Sequence, residues 1–217
     1  MRHLAGIGLD LDGTLLDTAP RHKAALLEAA HSLNVGLPDG FPDRYYEEKR
    51  GGLKGTEVLL RHHIPRSAEL SAAWVRLIEC ERLLMLDVPF PNVLAAMGRM
   101  AEDGFGFHLC TARQQEDLVI RQLSLLGIAP LIRGAHVLHL DDHGGPSKTK
   151  AEITSTLGLN AIVGDSEVDM EWATKLNVRF LALSCGVRSR EFWLARRVEP
   201  YEDTVSALRA VRECRPR

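Results

Sequence analysis

Residues 4–14 read LAGIGLDLDGT and decide the fold, because a short run of apolar residues and glycine ends there on a carboxylate. The residues that follow, up to Pro20, include several that favour turns. This order predicts a buried strand that feeds a loop, with Asp10 at the end of the strand and Asp12 two residues further on. We expect it to be the first strand of a sheet.

Beyond Pro91 the sequence alternates between strand and helix patterns. Apolar spacing predicts helices near 93–102, 114–126, 151–157 and 168–176. Strands are predicted at FGFHLCT (105–111), HVLHL (136–140), NAIVGD (160–165) and VRFLAL (178–183). Strands that alternate with helices are typical of an α/β fold with a doubly wound, mostly parallel sheet.

No strand pattern is evident between Thr18 and Pro89. Helical spacing is found instead at 20–35, at 57–63 and at 67–85. A strand-free stretch of this length is too long for a plain connection, so we interpret it as an inserted helical domain above the carboxyl edge of the sheet. The predicted division is an α/β core of residues 1–17 and 90–217 and a helical cap of residues 18–89.

Composition excludes several classes of protein. The chain has 217 residues, 45% hydrophobic and 26% charged, and its net charge of -2 provides no broad basic field for nucleic acid or anionic lipid. Asp10 interrupts the apolar stretch at the N-terminus, which therefore predicts neither a secretory signal nor a membrane span, and we expect a cytoplasmic protein. The four cysteines form no C-x-x-C pair, which argues against a zinc ribbon or a redox pair.

Four features come where a predicted strand ends, the edge at which open α/β sheets bind ligands. They are Asp10, Thr111, Asp165 and a lysine at 148 or 150. The carboxylates, together with Asp12, would provide oxygen ligands for a hard cation such as Mg²⁺, and the lysine and hydroxyl would complete an anion site. Phosphoryl transfer needs such a set, because its barrier falls mainly through positioning and charge neutralisation.

The segments DLDGTLLDT (10–18), LCTAR (109–113), KTKAEI (148–153) and VGDSEVD (163–169), in that order, resemble the haloacid dehalogenase-like phosphohydrolase superfamily. The resemblance covers the whole chain and implies a Rossmann-like core. The insertion between the first two motifs implies a helical cap of the kind found in phosphoglycolate phosphatase-like members. Dehalogenase members lack an aspartate at the place of Asp12, so the resemblance favours phosphate chemistry.

The resemblance also implies a role for each motif residue. Asp10 would attack phosphorus and become an aspartyl phosphate. Asp12 would serve as acid and base, and its backbone carbonyl would face Mg²⁺. Gly13 and Thr14 would shape the loop around the phosphoryl group, and Thr111 would bind a phosphoryl oxygen. Asp165 would be a direct Mg²⁺ ligand, and Asp169 would support it.

The motif lysine stays open between two residues. We favour Lys150, because family members with K-x-x-I at the start of this helix place the apolar residue three positions after the lysine, as in Lys150-Ala-Glu-Ile153. Lys148 is the alternative.

Further substrate contacts are predicted in two loops. Next to Thr111, Ala112 and Arg113 would face the substrate phosphate, although an arginine that opens a helix is often a solvated surface group. In the cap, KRGGLKG (49–55) combines cations with glycines before a helix, which predicts a substrate-reading role for Arg50 and Lys54 or else an exposed turn.

The segment from His136 to His143 has the composition of a metal site, with three histidines and two aspartates. On a strand, His136 and His139 would point to opposite faces, so we interpret the segment as an edge strand and loop.

Three functions are consistent with these residues. The first is a magnesium-dependent phosphatase of a small phosphorylated metabolite. The second is a sugar phosphomutase with the same motifs, and the third is an inactive binding protein that kept the fold. A monomer and a homodimer are equally compatible with the sequence.

Overall fold

The computed structural model describes residues 6–138 and 145–213 and contains a five-stranded parallel sheet with helices on both faces. In chain order the elements are β1 (Gly6–Leu9), β2 (Leu16–Asp17), α1 (Ala19–Ser32), α2 (Phe41–Arg50), α3 (Gly55–Arg61), α4 (Ser67–Leu77), α5 (Glu81–Leu84), β3 (Val88–Pro89), α6 (Val93–Glu102), β4 (Gly106–Thr111), α7 (Glu116–Leu125), a 3-10 turn (Ala129–Leu131), β5 (Gly134–Val137), α8 (Pro146–Thr154), β6 (Leu159–Gly164), α9 (Glu167–Leu176), β7 (Arg179–Ala182), α10 (Arg190–Leu194) and α11 (Thr204–Glu213).

The strand order is β5-β4-β1-β6-β7, and every neighbouring pair is parallel. Side chains alternate across the sheet, so Ile7 and Leu9 pack with α6, α7 and α11 on one face. Cys110 and Ile162 pack with Trp172 on the other face, under α8 and α9. Both faces are buried, which explains the nearly continuous apolar strands and confirms the predicted doubly wound α/β fold.

The chain continues from β1 to β4 on one side and later returns to β6 on the other side of β1. This reversal of direction opens a crevice at the carboxyl end of β1, the place where open α/β sheets bind ligands. Asp10 comes directly after β1 and therefore lies at this crevice.

The helices α1 to α5 form the cap and have an apolar core of their own. Buried residues of α1, α2, α3 and α4 pack together there, Leu26, Tyr45, Leu59 and Leu70 among them. The predicted helical insertion is thus present, while its proposed limits, residues 18 and 89, stay a prediction.

The prediction of no strand between Thr18 and Pro89 is wrong at Val88–Pro89. β3 pairs antiparallel with β2, with Leu16 opposite Pro89 and Asp17 opposite Val88. A strand of two residues is too short to leave an alternating pattern in the sequence. The ribbon joins the chain entering the cap to the chain leaving it.

Helix limits in the cap also differ from the predictions. Residues 67–85, predicted as one helical stretch, form two helices, α4 and α5, because the helix is interrupted between Leu77 and Glu81. Backbone carbonyls in the break bind side chains instead, since Arg21 donates to the Ile78 oxygen at 3.2 Å and Gln115 to the Glu79 oxygen at 3.2 Å. Helix α2 was not predicted from the sequence. None of the helices in the described part of the chain is long and apolar enough to cross a membrane.

Candidate active site

Three predicted residues meet at the carboxyl edge of the sheet, because β4, β1 and β6 are neighbours. Thr111 ends β4, Asp10 follows β1 and Asp165 follows β6. They line a cavity of about 250 Å³ between the core and the cap. The core also contributes Ala112 and Lys150 to its wall, and the cap contributes Thr18, His22 and Glu79.

Lys150 is the lysine that reaches the predicted nucleophile. Its ammonium is buried and donates to Asp10 Oδ1 at 2.6 Å and to Asp169 Oδ1 at 2.7 Å. Burial alone would lower the pKa of Lys150, but Asp10 and Asp169 outweigh it and raise that pKa. Lys150 is therefore a permanent cation beside Asp10.

Lys148 lies outside the site. Two residues along a helix correspond to a rotation of about 200°, so Lys148 and Lys150 point to nearly opposite sides of α8. The Lys148 side chain is 54% exposed and its ammonium lies 3.6 Å from Glu152. The predicted alternative is thus corrected by helix geometry.

Asp10, Asp165 and Asp169 form a buried carboxylate cluster in which one oxygen of each lies within 4.8 Å of the others. Burial, and then Asp169 and Asp12 against the opposing effect of Lys150, raises the pKa of Asp10 to about 7. Burial and the charges of Asp10 and Asp169 likewise raise the pKa of Asp165. One ammonium does not balance three carboxylates, so the donor set fits a bound cation with oxygen ligands.

Within this cluster Asp169 supports the others. Its Oδ1 accepts from Lys150, and its Oδ2 accepts from the Ser166 hydroxyl at 2.6 Å and the Ser166 amide at 3.2 Å. These contacts cap helix α9 and occupy both oxygens. Asp10, Asp165 and Asp169 each offer an oxygen that could hold a metal, and Asp169 also positions Lys150.

Gly13 and Thr14 pack behind Asp165. Gly13 has a φ of +73°, and a Cβ atom there would lie 2.0 Å from Asp165 Oδ2. The Thr14 hydroxyl donates to Asp165 Oδ1 at 3.4 Å, and the side chain is wholly buried. The two residues shape the loop beside Asp165, and neither is among the residues that line the cavity. Their predicted contact with substrate stays a prediction.

Asp12 is held by two buried arginines. Its carboxylate lies 2.7 Å from Arg21 Nη2 and accepts from Arg113 Nε at 3.1 Å. Burial would raise the pKa of Asp12, but Arg21 and then Arg113 outweigh it and hold that pKa well below its ordinary value. In this arrangement Asp12 is a stable carboxylate.

Arg113 is therefore neither a free phosphate contact nor a solvated surface group. It is 3% exposed and also binds Asp87, at 2.8 Å, and Gln122. Asp87 in turn lies 3.0 Å from Arg21 Nε. Arg21 and Asp87 were not predicted, and the one sequence signal for them is a charged residue near each end of the cap insertion.

The predicted substrate-reading residues of the cap are not brought to the cavity. Arg50 donates to the Gly186 oxygen at 3.0 Å and to the Ser184 oxygen at 2.5 Å, which fastens α2 to the core. Lys54 is exposed at the start of α3. His22 lines the cavity in their place, and the Lys49 ammonium lies 3.4 Å from His22 Nδ1. Neither was predicted.

The histidine segment is described only in part. His136 lies on β5, and its ring centroid is 6.4 Å from that of His108 on the neighbouring strand. His139 and His143 fall outside the described residues, so the interpretation of the segment as strand and loop stays a prediction beyond Leu138. Strand β5 begins at Gly134, two residues before the predicted strand.

Comparisons with known proteins agree with this geometry. A family model described as haloacid dehalogenase-like hydrolase matches residues 4–177. A phosphoglycolate phosphatase from Mesorhizobium japonicum is 25% identical over 214 residues, which cover 89% of this chain and 87% of that protein.

Two solved structures have the same fold. A haloacid dehalogenase-like family hydrolase from Streptococcus pneumoniae superposes with a TM-score of 0.73 at 16% identity, over 97% of this chain and 100% of that one. A Thermotoga maritima protein described as a candidate beta-phosphoglucomutase superposes with a TM-score of 0.67 at 15% identity, over 98% of this chain and 100% of that one.

Proposed function

Because the chain belongs to the haloacid dehalogenase-like hydrolases, we propose that it is a magnesium-dependent phosphatase that hydrolyses a small phosphorylated metabolite through an aspartyl phosphate on Asp10. The observation that carries the proposal is the contact of Lys150 Nζ with Asp10 Oδ1 at 2.6 Å inside the carboxylate cluster. It places a permanent cation where a phosphoryl group would meet the nucleophile. The phosphatase name of the Mesorhizobium japonicum relative supports the same reaction class.

The metal would be held by Asp10, Asp165 and the backbone carbonyl of Asp12. When bound, Mg²⁺ supplies positive charge that balances the carboxylates and the phosphoryl oxygens. The oxygen-only donor set and the raised pKa values of Asp10 and Asp165 support a hard divalent cation here.

The reaction follows from the placement of the core residues. Asp10 attacks phosphorus, and the bond from phosphorus to the ester oxygen breaks, which leaves the phosphoryl group on Asp10 and the electron pair on the departing alcohol oxygen. Lys150 and the Thr111 hydroxyl would neutralise and orient the phosphoryl oxygens. A water molecule then attacks phosphorus, and the bond from phosphorus to the Asp10 oxygen breaks. Inorganic phosphate leaves, and the Asp10 carboxylate is restored.

Asp12 handles the protons in both steps. Arg21 and Arg113 hold its carboxylate ionised, so it is ready to accept a proton from the attacking water. To protonate the departing oxygen in the first step, Asp12 needs a higher pKa. A weaker contact with Arg21 or Arg113 during the cycle would raise that pKa.

The test is phosphate release from a panel of small phosphate monoesters, with and without Mg²⁺. We expect metal-dependent release by the natural chain and a loss of at least about 1,000-fold in kcat for Asp10→Asn, because the amide cannot form the intermediate. Formation of an isomeric sugar phosphate without phosphate release would identify a mutase instead. Absence of phosphate release with Mg²⁺, together with equal behaviour of the Asp10→Asn variant and the natural chain across the panel, would identify an inactive binding protein.

A further inference from the structure

Trp172, on helix α9, lies against the lysine of the candidate active site. Its side chain is wholly buried, and the Lys150 ammonium lies over its ring, 5.2 Å from the ring centroid. Lys150 lines the cavity that contains Asp10, whereas Trp172 is not among the lining residues. Trp172 is therefore placed to affect a bound substrate through the lysine and not by direct contact.

The Lys150 ammonium needs outside support to stay at one place, because it ends a flexible chain of four carbon atoms. Asp10 and Asp169 accept hydrogen bonds from it at 2.6 Å and 2.7 Å. The contact with Asp10 weakens in the proposed aspartyl phosphate, because an oxygen of Asp10 is then bonded to phosphorus. The face of the Trp172 indole attracts the cation at every stage, since this attraction does not depend on a carboxylate.

A hydroxyl group also links Trp172 to the backbone of Lys150. The indole Nε1 donates to Thr154 Oγ1 at 2.8 Å, and the same hydroxyl donates to the Lys150 carbonyl oxygen at 2.6 Å. Thr154 comes one turn after Lys150 on helix α8, so this bridge joins α9 to the turn that carries the lysine. Trp172 thus supports Lys150 at its ammonium and, through Thr154, at its backbone.

The ring of Trp172 is held in place by the strand that carries Asp10. A Cβ atom at Gly8, on the central strand β1, would lie 2.7 Å from Trp172 Cη2, so the glycine leaves the space that the ring fills. Packing as close as this leaves the ring little freedom to move. Because Gly8 lies two residues before Asp10, the strand that positions the proposed nucleophile also positions the ring beside Lys150.

We propose that Trp172 is a positioning residue for phosphoryl transfer, which holds the Lys150 ammonium at the Asp10 oxygen. This role rests on the proposed function, because the place of Lys150 matters to turnover only if a phosphoryl group reaches Asp10. A displacement of about 1 Å in a reacting group can cost about 100-fold in rate, so a residue behind the cavity wall can determine kcat.

The experiment measures kcat and KM for hydrolysis of p-nitrophenyl phosphate with Mg²⁺. Trp172→Leu removes the ring and should lower kcat about 10-fold or more, while KM stays within about 3-fold, because the displaced charge serves the reacting oxygens. Trp172→Phe keeps an aromatic face for the ammonium and should keep kcat within about 3-fold of that of the natural chain.

Trp193→Leu is the matched control, because it also removes a wholly buried indole. The Trp193 Nε1 donates to the Leu183 oxygen at 2.9 Å, and the ring packs against Phe180 and Phe192. Thermal unfolding should show that both leucine variants are folded and lose similar stability, whereas kcat of Trp193→Leu should stay within about 3-fold of the natural value. An equal fall of kcat in the two variants would make the effect of Trp172 one of stability and would overturn the positioning role.

A second measurement places Trp172→Leu in the Lys150→Ala protein. If the ring acts through the lysine, its removal then has no charge left to displace, and kcat should stay within about 2-fold of that of Lys150→Ala alone. Two effects that multiply would show that Trp172 supports the site independently of Lys150, which would overturn the positioning role.

Fluorescence tests the contact without turnover. In a protein with Trp74→Phe and Trp193→Phe, Trp172 is the one remaining tryptophan. Lys150→Met in this background should shift the emission maximum of Trp172, because the charge over the ring is lost, and Lys148→Met on the opposite side of α8 should leave it in place. An emission maximum that Lys150→Met leaves unmoved would contradict the contact.

The two proposals fail in different ways. Natural kcat in Trp172→Leu, or a fall in Trp172→Phe as large as that in Trp172→Leu, overturns the positioning role and leaves the phosphatase standing. Absence of Mg²⁺-dependent phosphate release by the natural chain overturns the proposed function and the positioning role together.

Discussion

Removal of the Asp10 charge should change how the stability of the metal-free protein depends on pH. Asp10 is 9% exposed, and its pKa is raised from 3.8 to about 7. A carboxyl group whose folded pKa is raised binds its proton more tightly in the folded state. It therefore stabilises the fold at low pH, and this contribution is lost as the pH rises through 7.

The size of the effect follows from the two pKa values. With 3.8 in the unfolded chain and about 7 in the folded protein, linkage predicts a loss of about 2–3 kcal/mol in the free energy of unfolding between pH 5 and pH 8. For a chain of this length, that corresponds to a fall of roughly 5–10 °C in Tm.

The assay is urea unfolding at pH 5, 6, 7 and 8 for the natural chain and for Asp10→Asn, without metal and with saturating Mg²⁺. Other groups titrate in both proteins, so the difference between them isolates Asp10. Without metal, we expect the free energy of unfolding of the natural chain, relative to that of Asp10→Asn, to fall by about 2–3 kcal/mol between pH 5 and pH 8. Mg²⁺ should stabilise the natural chain more at pH 8 than at pH 5, because the metal competes with the proton for the carboxylate. Parallel pH curves for the two metal-free proteins would refute the reasoning.

Three substitutions, two of them paired with a control substitution, test other parts of the structure. Lys150→Ala should reduce kcat by about 100-fold or more, because it removes the cation beside Asp10. Lys148→Ala should keep kcat within about 2-fold of that of the natural chain. Steady-state kinetics of the two variants measures both effects. Arg113→Met should lower the free energy of unfolding, measured in urea, by about 3–5 kcal/mol, because it leaves the buried Asp87 and the partly exposed Asp12 without one of their two arginines. A cost below about 1 kcal/mol would contradict that view. Arg50→Met should speed proteolysis within the cap, because it removes two hydrogen bonds that fasten α2 to the core. Arg44→Met, at an exposed position of the same helix, is the control. Equal cleavage rates for the two variants would count against the fastening role.

The sequence predicted the core side of the site well, for a physical reason. Where each buried strand ends is set by its apolar run, and the carboxyl ends of parallel strands meet at one edge. Asp10, Thr111 and Asp165 were located in this way. The choice of Lys150 over Lys148 needed the direction of side chains around α8, which the structure supplies.

The cap side of the site was predicted poorly, because its contacts join distant parts of the chain. Arg21 and Asp87 are 66 positions apart in the sequence, and neither has a local pattern that indicates its partner. Arg50 and Lys54 were predicted from the charge and glycine content of a loop, but that content does not determine which cation faces the cavity.

The ribbon of β2 and β3 has a consequence for the exchange of parts between related proteins. The strands on either side of the cap pair directly, Leu16 with Pro89 and Asp17 with Val88. The segment between them is therefore connected to the core at one place, the β2–β3 ribbon. A cap from a related protein could be joined at this ribbon without a change in the register of the parallel sheet, because the ribbon is a separate sheet. A graft that omits Arg21 and Asp87, however, would leave Asp12 with Arg113 as its one guanidinium partner. The exchanged cap would then change the environment of Asp12, and with it the acid–base role that we propose for this residue.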